Sequence, residues 1–590
     1  MAAFSLYYWR IGGFAAPGAA TFFGIFLTSA VAVRLLAISM LHPRAAAFGR
    51  ASSGLVDALF VLCWSALVAI FFIGIVSWGQ VPTVNLLAPY LSQIPMVLDV
   101  IGIRPFYVWF IALLVVGLLV TVVFLQARTA RAPSAVEGWI RVNPSLRAPL
   151  VAVLSSCTLV SGFMAYTASL FGHEIQEPLS LMFVPKPRVD VQSGSMDSRA
   201  LSELRSRESK AARFYPTGAH GTQKNVILIT VDALRPDRMH AFGHNRLTTP
   251  FLSGLVQSNG LMPLKQARAT CAESMCGIVA LLNGRAAHHS PWISFGLPDV
   301  LKRVGYTTVA TLSGDHTNFY GLRERLGAFD VFSDGATAGV NPRMNDDNYV
   351  MDRLRRQVPT CGAKPLFLYV HLMSSHLLGK KHATFTRWVP VKSPARMIIG
   401  EIDSQSKSEM RNFYDNGVLQ ADAKIEEIYA ILREKGCLQD SIVVITADHG
   451  EFLGEYGRVQ HAATVLEPVL RIPWLSQGIS VHPRNQSSPI LQEDLAPSIL
   501  TELGLPIPQT WRGQPLQLPS DRPFSFHSQG VWAALIDFRG ADVLKYVVNR
   551  STQTAAAYRL DAADAEGKDV LGVVSNNEFA NGTRCCCARG

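Results

Sequence analysis

The sequence predicts a multi-span α-helical membrane domain followed by a water-soluble α/β domain with a mostly parallel central sheet. Three observations carry that prediction. Before about residue 175 the chain runs in long apolar stretches with few acidic residues, as bilayer-spanning segments do. Beyond Asn225, short β-branched runs alternate with helical patterns, the signature of a parallel sheet covered on both faces. Three of those runs pass directly into Asp, His or Ser residues, at the strand ends where ligands of such sheets gather. A chain of 590 residues also exceeds what one hydrophobic core accommodates, so at least two domains are expected.

Four segments, Phe22 to Met40, Leu55 to Trp78, Phe106 to Gln126 and Leu150 to Phe171, offer the roughly 20 apolar residues that a hydrocarbon core requires. A fifth, Leu86 to Ile103, contains Pro89, Pro95 and Asp99 and reads as a tilted span, a re-entrant piece or an interfacial helix. The loop between Gln126 and Leu150 holds Arg128, Arg131, Arg141 and Arg147 against one acid, Glu137. The positive-inside rule therefore assigns that loop to the cytoplasm and everything after Phe171 to the outer side. Five spans put the N-terminus inside and four put it outside; Arg44 and Arg50, between the first two spans, favour four. Repeated spans favour an uncleaved anchor over a signal peptide. The resulting boundaries are a transmembrane domain over 1–173, a linker over 174–222, a soluble catalytic domain over 223–570 and a tail over 571–590. The linker includes a charged run, SRALSELRSRESKAARF, suited to a surface helix.

The net charge of +10 does not indicate a nucleic-acid partner, because Lys and Arg are scattered and no basic run is interleaved with aromatics. The nine cysteines show no zinc-finger spacing. In an oxidising compartment Cys271 and Cys276 would staple the loop around Ser274; unpaired buried thiols are the competing reading. Cys585, Cys586 and Cys587 fall in a tail that reads as a disordered end.

Strands are expected at Val226 to Val231, Thr307 to Leu312, Leu366 to His371 and Ile442 to Thr446. The first ends on Asp232, which either caps the next turn or binds a ligand. The fourth ends on Asp448 and His449, adjacent oxygen and nitrogen donors suited to Zn2+ or Mn2+, with His461 following. The third carries His371, read as a core histidine bonded to backbone, and His376, past the strand end, where a donor reaches a bound phosphate. Together, on one sheet, these residues describe a metal site. Ser274 precedes an apolar run, Cys276 to Leu282, that reads as a helix. Its hydroxyl then lies at a helix N-terminus, where free amides and the dipole favour an anion; an ordinary capping serine is the alternative.

These motifs resemble the alkaline phosphatase superfamily, in its sulfatase-like, membrane-anchored branch. ITVDALRPDRMHAFGHNRLTTPFL is similar to that branch's first metal-ligand motif, and SMCGIVALLNGR to its nucleophile helix. TADHGEFLGEYGRVQHAATVLEPVLRIP is similar to its second metal motif with the following histidine, and QEDLAPSILTELGLP and YRLDAAD to later landmarks. The resemblance covers about Asn225 to Asp569. It implies an alkaline-phosphatase-like fold and one divalent metal, Zn2+ or Mn2+ with Ca2+ or Mg2+ as alternatives, surrounded by Asp232, Ser274, Asp448 and His449. It also implies His376 and His461 as the groups that protonate the leaving oxygen and activate the acceptor. Ser274 takes the nucleophile's position. In formylglycine sulfatases that residue is followed by Pro or Ala two places on and Arg four places on; Cys276 and Ile278 stand there, which favours an unmodified serine.

A multi-span anchor before an outer catalytic domain is similar to the layout of phosphoethanolamine transferases, phosphoglycerol transferases and lipoteichoic acid synthase, and it favours the five-span count. This resemblance implies a multi-pass inner-membrane enzyme with a periplasmic catalytic domain. Such an enzyme moves a phosphoethanolamine or phosphoglycerol headgroup from a membrane phospholipid to a hydroxyl of a glycan, lipid or protein, through a phospho-Ser274 intermediate. TLSGDHTNFYGLRERLGAFDVFSD is similar in layout to the phosphoglycerol-transferring members, which makes Tyr320 and Arg323 candidate headgroup contacts. Glu273 and Ser274 beside Cys271 instead resemble the Glu-Thr beside a Cys of phosphoethanolamine transferases. Two other classes stay open: a hydrolase of phosphate or sulfate esters, and a non-catalytic lipid-sensing membrane regulator.

Overall fold

The computed structural model describes residues 16–40, 58–72, 177–183, 198–217 and, apart from short gaps such as 339–344 and 393–402, 221–569, with isolated residues elsewhere before 164. The tail with Cys585, Cys586 and Cys587 lies outside the described residues, as do the expected spans beyond residue 72 apart from isolated positions. The chain forms two compact units, one over Met1–Val189 apart from Val100–Gly102, the other from Asp190 onward.

In the first unit, α1 (Ala16–Met40) has its side chains described as far as Val33. Phe22 of α1 meets Trp64 and Phe71 of the helical residues 58–72 edge-on, with ring centroids 5.4 and 5.9 Å apart. Among the described residues no helix is long and apolar enough to cross a membrane.

The second unit is built on a seven-stranded sheet of β1 (Asn225–Val231), β2 (Met262–Pro263), β3 (Thr307–Leu312), β4 (Val331–Ser333), β5 (Leu366–Leu372), β6 (Ser441–Thr446) and β7 (Trp474–Gln477), in the order β2-β7-β6-β1-β5-β3-β4. The four strands read from sequence are the contiguous centre β6-β1-β5-β3, all parallel; β7 and β2 join antiparallel at one edge. Every residue of β5 and β6 is buried, which explains why these strands read as continuous apolar runs rather than alternating ones. The parallel register, with Val226 opposite both Phe367 and Ile442, brings the carboxyl ends of β1, β5 and β6 to one edge. A second, antiparallel sheet follows in simple meander order: β8 (Phe524–Gln529), β9 (Trp532–Asp537), β10 (Leu544–Asn549), β11 (Thr554–Leu560) and β12 (Glu566–Asp569).

The charged run within the expected linker forms α2 (Ser198–Phe214), and it is docked rather than solvated. Glu208 accepts from the Phe295 amide at 2.6 Å and pairs with Arg285 at 2.6 Å, while Tyr215 donates to the Pro506 carbonyl at 2.8 Å. Two disulfides are present, Cys271–Cys276 and Cys361–Cys437, so the stapled reading of the Ser274 loop holds.

Candidate active site

β1 delivers Asp232, whose amide donates to the Leu372 carbonyl at 2.8 Å and so extends the ladder one residue past the strand. The chain then turns sharply through Ala233 at φ 60°, a left-handed conformation that costs a non-glycine residue about 1 kcal/mol or more. Tyr414 from α4 (Ser404–Glu434) pins that turn, donating to the Ala233 carbonyl at 2.6 Å and accepting from the Arg235 amide at 2.9 Å. The Ala233 amide donates to Asp448 Oδ1 at 3.1 Å, which locks the ends of β1 and β6 together.

Ser274 opens α3 (Ser274–Asn283), two residues earlier than the sequence indicated. Glu273 takes the cap position, so Ser274 is not a capping serine but the first helical residue. Its Oγ lies 3.5 Å from Asp232 Oδ2 and 3.3 Å from His449 Nε2. The helix is buried along its whole length and approaches β6 closely at Gly277, where an added Cβ would fall 2.1 Å from the Asp448 carbonyl oxygen. Glycine at that position thus sets the spacing between the serine and its neighbours.

Asp232, Asp448 and His449 form a buried group whose ligand atoms all lie within 4.8 Å of one another. His449 Nδ1 bonds to the Gly450 carbonyl at 2.7 Å, which in the neutral ring makes Nε2 the lone-pair nitrogen, facing the two carboxylates at 3.5 and 3.6 Å. Asp232 Oδ1 and Asp448 Oδ2 are buried and accept no hydrogen bond among the described residues. Burial, and then the Asp448 charge, push the Asp232 carboxyl up to about 8. Two orphaned carboxylate oxygens beside a free imidazole nitrogen fit a divalent cation, and the mixed oxygen–nitrogen set suits Zn2+ or Mn2+.

A second group, His376, Glu451 and His461, adjoins the first: the His461 ring lies 4.1 Å from that of His449 and 5.2 Å from that of His376. Burial alone would push His461 down, but Glu451, 3.4 Å from Nδ1, outweighs it and holds the imidazole up at about 9. His376 goes the other way, held well below its ordinary value by burial and by the neighbouring His461 and His449. Its Nδ1 accepts from the Leu378 amide at 3.1 Å, so any proton resides on Nε2.

All six residues read from sequence as metal ligands or catalytic groups, Asp232, Ser274, His376, Asp448, His449 and His461, are therefore brought together. His371 is buried as expected, but its Nδ1 meets the Thr230 hydroxyl at 2.7 Å rather than backbone, and its Nε2 lies 3.5 Å from Asp232 Oδ2. The Tyr320 side chain lies outside the described residues. Arg323 is exposed, over the Phe332 ring at 5.6 Å, and does not join the cluster. Arg325, two residues on, is the buried one: it donates to the Met275 sulfur at 2.9 Å and lies over Trp292 at 4.7 Å, beside the serine. Glu451 escaped the sequence reading although it stands in the same DHGE run as Asp448 and His449. Lys381 is half-buried with its ammonium on the His376 and Gly379 carbonyls, and desolvation pushes it down to about 7.

A mostly parallel sheet that presents a helix-opening serine to Asp and His donors at its carboxyl edge defines a sulfatase-like domain of the alkaline phosphatase superfamily. Residues 224–505 match the family Sulfatase. Among curated proteins the chain is similar to arylsulfatase K of Bos taurus, 33% identical over 122 residues, which are 20% of this chain and 22% of that protein. It is also similar to Kdo(2)-lipid A phosphoethanolamine 7''-transferase of Salmonella typhimurium, 23% identical over 287 residues, 46% of this chain and 48% of that protein. The chain thus spans less than half the length of either relative. Among solved structures, the integral membrane protein lipooligosaccharide phosphoethanolamine transferase A of Neisseria meningitidis superimposes with a TM-score of 0.46 at 18% identity, covering 83% of this chain and 96% of that one.

Proposed function

We propose that this protein transfers a phospho-headgroup, phosphoethanolamine or phosphoglycerol, from a membrane phospholipid to a hydroxyl acceptor on the outer side of the inner membrane, with Ser274 as nucleophile. The apolar segments of the first 173 residues serve as the anchor that keeps the reaction at the headgroup layer. The observation that carries the reading is the position of Ser274: it opens a buried helix with its Oγ within 3.5 Å of Asp232 and His449, next to the His376 and His461 rings. The similarity to a phosphoethanolamine transferase over nearly half of that protein supports it.

Asp232, Asp448 and His449 would hold a divalent cation, whose positive charge would bring the serine hydroxyl's pKa within reach of neutral pH. Ser274 Oγ attacks phosphorus in line; a P–O bond to Ser274 forms and the P–O bond to diacylglycerol breaks. The proton needed by the departing diacylglycerol oxygen comes from His461, which Glu451 holds in its protonated form. An acceptor hydroxyl then returns a proton to that histidine as it attacks phosphorus, and Ser274 is released. Amides at the N-terminus of α3 face the negative oxygens throughout.

The test incubates full-length protein with phosphatidylethanolamine, phosphatidylglycerol and Mn2+ or Zn2+, then follows diacylglycerol and the mass of the Ser274 peptide. The expected outcome is a phosphoethanolamine or phosphoglycerol adduct on that peptide, with adduct and diacylglycerol both absent in Ser274→Ala. Turnover of soluble phosphate or sulfate esters without any diacylglycerol would replace the transferase with a small-ester hydrolase.

A further inference from the structure

Beyond the turn that follows β1, three arginines, Arg238, Arg246 and Arg411, converge with His244, Ser404 and Ser408 on a pocket of about 220 Å3. It shares no residue with the two acid–histidine groups, and no lining residue is a carboxylate. Beneath it lies Asp415, fully buried, which accepts from Arg238 Nε at 2.8 Å, Arg238 Nη2 at 2.6 Å and Arg246 Nη1 at 2.7 Å. One carboxylate therefore orients two guanidinium groups and neutralises only one of them. Arg411 makes no ion pair or hydrogen bond among the described residues, so even with His244 neutral the pocket keeps an excess of positive charge. Of two acids adjacent in sequence, Asp237 pairs with Arg235 at 2.8 Å and also faces Arg238 and His244, offsetting part of the positive charge, while Asp403 caps its own helix through the Ser406 amide at 2.7 Å.

The rim is apolar and firmly held. Arg246 lies over the Trp388 ring at 5.4 Å. Asn416 accepts from the amides of Arg387 and Trp388 at 2.9 and 3.0 Å, and Asn412 donates to the Pro390 carbonyl at 2.9 Å, so the segment is fastened along α4. Fastened in this way, Val389 is still 67% exposed, Val391 43% and Leu247 41%. Exposed aliphatic residues and a tryptophan beside a cationic pocket are the combination that an interfacial membrane surface selects. Planar arginine donors match phosphate oxygens, and a volume below the roughly 300 Å3 of drug-sized sites suits a headgroup without its chains.

We propose that this pocket binds the phosphate of an anionic phospholipid at a bilayer surface, with Trp388, Val389 and Val391 entering the interfacial layer. This site is separate from the catalytic centre and docks the second unit on the membrane whichever phosphate or sulfate ester that centre turns over.

The test titrates full-length protein in neutral detergent with short-chain phosphatidylglycerol, short-chain phosphatidylcholine and inorganic phosphate, by calorimetry. Wild type is expected to bind the phosphatidylglycerol saturably, and far more tightly than the other two. Arg411→Ala should weaken that binding about tenfold, the loss of one charge-assisted contact, and Arg411→Glu should remove it. Val389→Ser with Val391→Ser should weaken the lipid alone. Arg411 carries no partner among the described residues, so unchanged melting in its variants identifies a binding defect rather than misfolding. Equal binding of phosphatidylglycerol by wild type and both Arg411 variants would overturn the site. Inorganic phosphate binding as tightly as the lipid would make it a soluble-anion pocket and overturn the membrane assignment, as would equal affinity for phosphatidylcholine. Lipid held at the catalytic centre persists in the Arg411 variants, and the Ser274 adduct reads that centre independently.

Discussion

Two groups of buried charges sit in the same unit and are built on opposite plans. Around Glu467, Arg268 Nε lies at 3.0 Å and Lys545 Nζ at 2.8 Å; Lys545 also reaches Glu566 at 2.7 Å. Two acids thus face two bases. Although burial pushes Glu467 up, Arg268 and Lys545 outweigh it and hold the carboxyl down at about 2. Around Ser274, Asp232 and Asp448 are as deeply buried, yet the basic groups facing them are histidines, and Asp232 stands at about 8. Burial imposes a comparable desolvation cost at both places; what differs is whether the chain supplies the cation. A closed set of charges is part of the fold, and an open one calls for a charge from solution.

The sharpest way to break that contrast is Glu467→Gln. It leaves Arg268 and Lys545 buried with one acid between them, and removing one partner of a buried set costs about 3–5 kcal/mol. The denaturation midpoint of the variant should fall accordingly, and an unchanged midpoint would show that the group contributes no stability. The sign with pH follows from the depressed carboxyl. Its folded value of about 2 lies below the ordinary 4.5, so its stabilisation is present above pH 4.5 and is lost as pH falls toward 2. Wild type should therefore weaken across that window more steeply than the variant.

The two groups also differ in how far the sequence exposes them. The four central strands are legible because each is a β-branched apolar run, and the structure extends them by at most one residue at an end. Asp232, Asp448 and His449 are legible for the same reason, since Asp232 directly follows the end of β1 and Asp448 and His449 lie two and three residues past the end of β6. Glu451 is not, because an acid five places past the strand reads as a surface residue until the hairpin of Phe452–Leu453 with Val459–Gln460 carries His461 back over it. Arg325 rather than Arg323 is buried because the short Leu322–Arg325 helix turns that side chain inward, a phase that a loose loop alignment does not fix. The Glu467 group is invisible to any local pattern: Arg268 and Glu467 are 199 positions apart, and Lys545 another 78. Likewise α2 looks solvated by composition, and only the fold supplies Arg285 for Glu208.

A smaller effect tests how tightly the open group is held. Gly277→Ala places a Cβ 2.1 Å from the Asp448 carbonyl oxygen, so α3 and the end of β6 must separate. Overpacking of this kind costs about 1–3 kcal/mol, and the shift should also reduce metal affinity by moving Asp448 relative to Ser274. Gly254 is the control: it also lies in a helix, and a methyl added there would meet nothing within 4 Å. Gly254→Ala should therefore stabilise by about 0.5–1 kcal/mol and leave metal binding intact. Equal metal affinity in the two variants would mean that the helix-to-strand contact does not position the donors.

The smallest expected change has the opposite sign to the largest. In chelator, Asp232→Asn removes one of two carboxylates that repel each other in the dry interior, so the variant should match or exceed wild type by about 1 kcal/mol. Saturating Zn2+ or Mn2+ should then reverse the order. A cation bound by the folded state alone adds about 2.7 kcal/mol at a hundredfold excess over its Kd, and wild type should show that rise in midpoint while Asp232→Asn shows little of it. Midpoints of both proteins with chelator and with metal decide the matter. If Asp232→Asn in chelator loses as much as Glu467→Gln does, Asp232 is an internal structural partner like Glu467, and the distinction between a closed and an open charge group fails. If the loss appears only when metal is added to wild type, the repulsion that the fold tolerates around Asp232 is the form in which it stores an affinity for the cation.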